Sequence, residues 1–345
     1  MQSITKELIT SEVAACGSSF SKVTHTEHFV TLFDNNYLPI GLALYESLSK
    51  MSQPFHLWIL CMDQLVEKHL TQLALPQISL IPLREVEDAR LLAVKPLRSR
   101  GEYCWTLTPF VSQFVFEREA QVERVTYLDA DLFFFDHPKL LLDEFEHSGK
   151  DVLITEHAYD PRYDKSRKSG LFCVQFMTFR RTEGAMEVMH WWQERCLEWC
   201  YEKPEDGKLG DQKYLDQWPT LFDAQVHILQ QKEKTLAPWN VRYFEQRGGG
   251  KTNPVFYHFH SFKIISASRA LLYSGYAVGN AVETIYQPYM LCLSSKFMLL
   301  KQAGIQITFL APRKDVLSRC LNLKRSIIGG MRYADFPQDV TVNQN

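Results

Sequence analysis

The chain lacks a Cys-x-x-Cys pair, a long apolar run, an internal repeat and any marked excess of charge of one sign. Each absence excludes something. Without paired cysteines the eight scattered Cys read as reduced thiols rather than a disulfide or zinc framework. Cys196 and Cys200 are one helical turn apart with no histidine beside them in sequence, so they read as core thiols. No segment approaches the ~20 apolar residues that span a bilayer, and the first residues carry no secretory apolar region. A cytoplasmic setting is the expectation, with 38 Lys+Arg against 40 Asp+Glu giving no general affinity for nucleic acid. The balance is uneven, however. Residues 301–345 carry a net +4 and the rest −6, so the tail could lie against anionic lipid as a peripheral contact with the inner face of the plasma membrane, or be a solvated helix face.

What is present is an ordinary globular composition, 46% hydrophobic and 23% charged over 345 residues. That is enough chain for two small domains or one large α/β unit. Residues 1–27 are polar and unpatterned and read as an N-terminal extension. HFVTLF (28–33), FHLWILCM (55–62) and ISLIPL (78–83) are short apolar runs of strand type. Between them lie helical patterns over Tyr37–Lys50 and Gln64–Leu73, the second capped by Asp63. Such a β-α-β-α-β opening predicts a mostly parallel, Rossmann-like central sheet flanked by helices. A further helix is expected over Thr108–Glu119 with Pro109 in its first turn, and another over Thr182–Tyr201. The α/β part is expected to run over residues 28–265. From Glu283 the pattern turns helical, so residues 266–345 are expected to form a mostly helical C-terminal lobe ending in the basic tail.

The strongest chemical signal is Tyr127-Leu128-Asp129-Ala130-Asp131, two carboxylates two residues apart behind a buried strand. At a strand end they can converge on one hard divalent cation, Mn²⁺ or Mg²⁺. Without a cation they repel, and the alternative is an exposed turn with two solvated acids. A second cluster, NPVFYHFHSFK, places His258 and His260 two residues apart with Lys263 behind them. On a strand both imidazoles would face the same way, so either could complete the metal site while Lys263 neutralises phosphate. Gly248-Gly249-Gly250 could let the backbone approach a pyrophosphate, or form a plain surface loop. Asp211-Gln212 follows a polar loop. It could bind sugar hydroxyls, or Asp211 could simply cap a helix. In Ala237-Pro238-Trp239-Asn240, Trp239 could be an apolar platform for a sugar face and Asn240 a polar contact, or the tryptophan could be core.

Taken in order, YLDAD (127–131), EDGKLGDQKYLDQWP (205–219), APWN (237–240) and HFHSFK (258–263) resemble nucleotide-sugar glycosyltransferases of the glycosyltransferase A fold. The resemblance is to the retaining family 8 type and to bacterial surface-polysaccharide glycosyltransferases, and covers roughly residues 28–265. It implies transfer of a hexose from a nucleotide diphosphate donor, UDP favoured, to a hydroxyl of a glycan or glycolipid, as in lipopolysaccharide assembly. It implies Mn²⁺ or Mg²⁺ held by Asp129 and Asp131, with His258 or His260 as third ligand. Leu32, Phe33, Asp34 and Tyr37 would hold the base, and Lys263 the phosphate. Asp211 would hold sugar hydroxyls, Gln212 would lie near the anomeric carbon, and Trp239 and Asn240 would contact substrate. Retention of configuration is the family's route. An inverting enzyme would need a carboxylate base, for which Asp211 and Glu156 are candidates. A nucleotide-sugar hydrolase, a nucleotidyltransferase or a non-catalytic glycan-assembly partner could use the same framework. The absence of Gly and Arg from FVTLFDNNYL (29–38) speaks against the nucleotidyltransferase.

Overall fold

The computed structural model describes residues 26–52, 54–307, 309 and 330–337. Most of the basic tail lies outside the described residues, and so does the N-terminal extension up to residue 25.

The opening alternates as the sequence predicts: β1 (Glu27–Phe33), α1 (Leu38–Met51), β2 (Phe55–Cys61), α2 (Gln64–Leu73) and β3 (Ile78–Pro82). Next come α3 (Arg100–Arg118), β4 (Arg124–Leu128), β5 (Leu132–Phe134), α4 (Lys139–Ser148) and β6 (Val152–Glu156). They are followed by β7 (Phe172–Arg180), α5 (Glu183–Glu198), β8 (Val226–Ile228) and β9 (Thr235–Leu236). The main sheet has the order β3-β2-β1-β4-β7-β6-β8. Only β7 runs against the others, pairing antiparallel with both β4 and β6.

The strands read as unbroken apolar runs because helices cover both faces. Alternate residues divide between two cores. Val30, Leu32, Trp58 and Leu60 pack with Leu107, Val111 and Val115 of α3 and Val188, Met189 and Trp192 of α5. Phe29, Phe33, Leu57 and Ile59 pack with Leu42 and Leu48 of α1, Val66 and Leu70 of α2, and Phe145 of α4. Each such side chain contributes about 1.5–3 kcal/mol on burial. Helix α1 can lie close to β1 because residue 41 is glycine. A Cβ there would sit 2.5 Å from the Phe33 ring.

Helix α3 differs from its expected limits. It begins eight residues earlier, at Arg100, where the N-cap Ser99 and Glu102 form a reciprocal capping box, and Pro109 sits inside it. The C-terminal segment differs as well. After α6 (Val241–Arg247) and β10 (Phe256–His258) come β11 (Lys263–Ser266) and β12 (Arg269–Ser274). Then follow a π-helical turn (Val282–Tyr286), α7 (Gln287–Gln302) and β13 (Met331–Asp335). Helix runs from Val282 to Gln302, but β12 and β13 join β11 in an antiparallel sheet within residues 266–345, which were expected to be mostly helical. Helix α7 docks on α1, with Lys296 paired to Glu46. An aromatic third core beneath it includes Phe133, Tyr257, Phe259, Tyr286 and Tyr289.

Candidate metal and nucleotide-sugar site

In the main sheet the strand order reverses between β1 and β4, since β2 and β3 lie on one side and β4 on the other. A crevice at the carboxyl ends of the strands opens at such a switch point. Asp34 follows β1 there, and Asp129 follows β4.

The acidic pair is assembled by three strands. The Asp129 N–H donates to the Gln175 carbonyl of β7 at 3.0 Å. The chain then turns into β5, which pairs antiparallel with β10 so that His258 lies opposite Leu132. The Phe259 N–H donates to the Asp131 carbonyl at 2.9 Å. His258 Nε2 therefore lies 3.2 Å from Asp131 Oδ1 and 3.8 Å from Asp129 Oδ2. One ligand atom from each of Asp129, Asp131 and His258 falls within 4.8 Å of the others.

The other face of the imidazole is held too. His258 Nδ1 lies 2.7 Å from Gln175 Oε1, while Gln175 Nε2 donates to Thr155 Oγ1 at 3.4 Å. That orientation puts the amide oxygen toward the ring, so Nδ1 carries the proton and Nε2 faces the carboxylates. A histidine ligand needs this arrangement. Two carboxylate oxygens and one imidazole nitrogen suit Mn²⁺ or Mg²⁺ rather than a thiophilic ion. Gln175 was missed by sequence reading. Its signal was a lone amide inside the apolar run FCVQFMTF, where a buried polar group must find a partner.

The protonation of the group fits a cation site. Burial raises the Asp129 carboxyl to about 6, with His258 opposing the rise and Asp131 adding to it. Asp131 is pushed up by burial, but His258 outweighs that and holds it below the usual carboxylate range. Burial would lower His258, yet the Asp131 charge prevails and holds it well above its usual value. In this state the imidazolium proton does the neutralising that a divalent ion would do. Tyr127 Oη donates to Asp129 Oδ1 at 3.0 Å and fixes the first carboxylate.

His260 is not part of this group. Strand β10 ends at His258, so His260 lies beyond the strand and outside the Asp129-Asp131-His258 cluster. The His260 ring packs edge-on to Trp239 at 5.4 Å and Tyr276 at 6.4 Å. Lys263 opens β11 at the rim, exposed, with no ion pair among the described residues.

Asp211 is 3% exposed, and its Oδ2 is a buried oxygen with no hydrogen-bond partner. Its carboxylate makes no cap bond to the 3₁₀ turn Gln212–Gln217, so the capping alternative fails. Burial raises its pKa to about 7, and the charge of Asp129 adds to the rise. The Trp192 indole holds the Asp211 carbonyl at 2.9 Å, anchoring the residue to α5. Gln212 donates from Nε2 to the Ser169 carbonyl at 2.8 Å, which links it to the loop after β6.

Trp239 and Asn240 are both buried, at 4% and 1% exposure, as the core alternative for the tryptophan anticipates, and their polar atoms are engaged within the fold. Trp239 Nε1 donates to the His157 carbonyl at 2.7 Å. Asn240 Oδ1 accepts from the Ala237 N–H at 2.8 Å, and its amide nitrogen donates to the His157 and Thr235 carbonyls. Together they brace the wall behind His258, whose ring meets Trp239 edge-on at 5.4 Å. Asn240→Ala strips partners from these buried groups and is expected to cost about 2–4 kcal/mol in urea unfolding.

The base-side residues are mixed. Leu32 and Phe33 bury their side chains, so only their backbone could meet a base, and the Phe33 carbonyl already accepts the Met62 N–H. Asp34 offers no idle carboxylate. It accepts the Asn36 and Tyr37 N–H groups and pairs with Arg100 Nε at 2.7 Å. Tyr37 is 42% exposed, and burial of its hydroxyl, with the charges of Asp131, Asp34 and Asp129 adding, raises its pKa well above the ordinary phenol value. Arg100, which also pairs with Asp63, was missed by sequence reading because α3 was expected to start beyond it.

Fold and site thus define a mixed α/β protein with an Asp-Asp-His group at the carboxyl edge of a mostly parallel sheet. No protein-family model matches the chain. It belongs to the family of YfnF of Bacillus subtilis, with 31% identity over 253 residues, 70% of this chain and 83% of YfnF. YfnD of the same organism is 29% identical over 279 residues, 78% of this chain and 89% of YfnD. Both relatives are described as uncharacterized. Among solved structures, mouse xyloside xylosyltransferase 1 matches 69% of this chain and 98% of its own at 14% identity and TM-score 0.47. The galactosyltransferase LgtC, solved with donor and acceptor sugar analogs, matches 68% and 87% at 14% identity and TM-score 0.43. GlyE of Streptococcus pneumoniae matches 83% and 67% at 14% identity and TM-score 0.45.

Gln175→Leu tests the outer support of His258. Losing the Nδ1 partner frees the ring to turn, and Mn²⁺ affinity should fall about 10–100-fold with the fold intact. A Mn²⁺ titration followed by electron paramagnetic resonance reads this directly, and unchanged affinity would refute the role.

Proposed function

We propose that the chain is a metal-dependent glycosyltransferase that moves a hexose from a nucleotide diphosphate donor, UDP favoured, to a hydroxyl of a glycan or glycolipid. One observation carries the reading: Asp129, Asp131 and His258 converge at the switch point of the sheet, with Gln175 holding His258 in the ligating orientation. The order of the sequence motifs supports it, and so does Asp211, a buried carboxylate with a vacant acceptor oxygen nearby.

Asp129, Asp131 and His258 would hold Mn²⁺ or Mg²⁺, which supplies Lewis-acid stabilisation of the diphosphate. The rest falls to the chain's own residues. Transfer breaks the bond between the anomeric carbon and the β-phosphate oxygen and forms one to the acceptor oxygen. Negative charge grows on the leaving diphosphate, and Lys263 faces it as an unpaired ammonium. Asp211 Oδ2 accepts a hydrogen bond from a sugar hydroxyl, which satisfies an oxygen otherwise stranded. Gln212, fixed through Ser169, presents its amide oxygen near the anomeric carbon as positive charge develops there. The acceptor hydroxyl proton passes to the departing diphosphate in the retaining route, which we favour from the family resemblance. A role in surface-polysaccharide assembly, in the cytoplasm or at the membrane's inner face, is part of the same proposal. Among the described residues no helix is long and apolar enough to cross a membrane.

The test is release of nucleoside diphosphate from a panel of UDP-, GDP- and dTDP-hexoses with Mn²⁺, with and without glycan acceptors. Acceptor-stimulated release supports transfer. Release of free sugar that no acceptor stimulates points to a hydrolase instead.

A further inference from the structure

The loop between β6 and β7 carries a lysine whose charge, like that of Lys263, bears on His260. Strand β6 runs parallel to β4, because β7 is antiparallel to both, so its following loop emerges on the edge that carries Asp129 and Asp131. In that loop Arg162 is neutralised by Asp160, and Asp164 accepts the Ser166 N–H. Lys165 has no carboxylate partner among the described residues. Its ammonium donates to Tyr276 Oη at 2.9 Å and lies 4.8 Å from the centre of that ring. Tyr276 is itself buried, at 4% exposure, and sets the lysine in place. The Tyr276 ring lies 6.4 Å from His260 and 6.5 Å from Trp239, and Trp239 lies 5.4 Å from His258. A continuous aromatic wall therefore leads from the metal-ligating histidine to the Lys165 ammonium.

We propose that Lys165 is a second phosphate-binding cation, acting with Lys263 on the diphosphate of the donor and of the nucleotide released. This deepens the reading of the site as a nucleotide-sugar site and rests on it. Charge balance supports two lysines. Asp129 and Asp131 cancel a divalent cation, so the diphosphate's own negative charges remain, and departure of the sugar adds one more. Lys263 alone leaves an excess in a half-buried site, where uncompensated charge is costly. A neutral phenol as sole partner keeps the Lys165 charge whole, while the aromatic contact keeps it ordered.

The experiment measures binding of UDP and of uridine to the full chain in saturating Mn²⁺ by calorimetry. Lys165→Met should weaken UDP about tenfold and leave uridine unchanged, since the charged hydrogen bond to phosphate is lost and the bond to Tyr276 lost with it involves no part of the nucleoside. Lys165→Arg should restore most of the affinity, and the salt dependence of UDP binding should be shallower in the Met variant. Tyr276→Phe keeps the ring and removes the phenol that holds the ammonium. It should weaken UDP about threefold, giving a second reading if the Met variant folds poorly. Unchanged UDP affinity in Lys165→Met, with Lys263→Met weakened, would overturn the inference alone. Failure of the unaltered protein to bind UDP would overturn the nucleotide-sugar reading and this inference with it.

Discussion

Asp131→Ala is expected to abolish Mn²⁺-dependent nucleotide binding and to lower transfer by about 10³-fold or more. Asp131 supplies the carboxylate oxygen nearest His258 Nε2, 3.2 Å away. Without it a cation keeps one carboxylate and one nitrogen, too few to clamp a diphosphate on which charge is building. Loss of the fold is not expected. Removing Asp131 relieves its repulsion with Asp129, and the alanine leaves the Phe259 N–H to Asp131 carbonyl bond intact because that bond is made by backbone. His258 then loses the charge that keeps it protonated, and burial favours its neutral form. Calorimetry with Mn²⁺ and UDP, paired with thermal unfolding, separates the two effects. A variant that keeps metal-dependent binding would show that the ligand set is wrong.

Asp211→Asn is expected to lower kcat about 10²–10³-fold with the donor KM within a few-fold of the unaltered enzyme. The carboxylate's vacant oxygen is proposed to meet a hydroxyl of the reacting sugar, and an amide that presents N–H there repels the hydroxyl's donor. The same substitution should raise stability at neutral pH. Burial holds the Asp211 pKa at about 7, above its ordinary 3.8. The folded state therefore binds a proton that the unfolded state has released across that interval. Its stability is fully present below pH 4 and declines as pH rises from about 4 to 7. Asparagine removes this loss, so the difference between the two proteins should be absent at pH 4 and grow toward pH 7. Urea unfolding across that range checks it. Equal stability of the two at pH 7, with kcat unchanged, would make Asp211 an ordinary buried residue.

The parts legible in the sequence are those fixed by local pattern. Strands β1 to β3 announced themselves because helices on both faces demand apolar residues at every position. Asp129 and Asp131 were legible because two acids directly behind such a strand need a reason to be there. Features set by distant pairing were not legible. Nothing local says that β7 inserts antiparallel between β4 and β6. Yet that insertion delivers Gln175 to His258. The choice between His258 and His260 depended on where β10 stops, and its pairing with β5 runs only to His258. Pro109 misled as a helix start because the true signal, the Ser99 and Glu102 capping box, lay nine residues upstream. Whether Trp239 and Asn240 meet substrate or the core was open in the sequence; the carbonyls of His157 and Thr235 and the Ala237 N–H engage them inward. The β11-β12-β13 sheet escaped notice because β11 and β13 are short and largely accessible, and β13 lies far from β12 in sequence.

The central claim is that Asp129, Asp131 and His258 form a cation site that binds a nucleoside diphosphate. Titration of UDP into the purified protein by calorimetry, with Mn²⁺ and then with the metal chelated, tests it most directly. The account predicts a single site that binds UDP with Mn²⁺ and loses nearly all affinity without it. Equal affinity with and without metal would contradict it, as would no binding of UDP, GDP, ADP, CDP or dTDP under either condition.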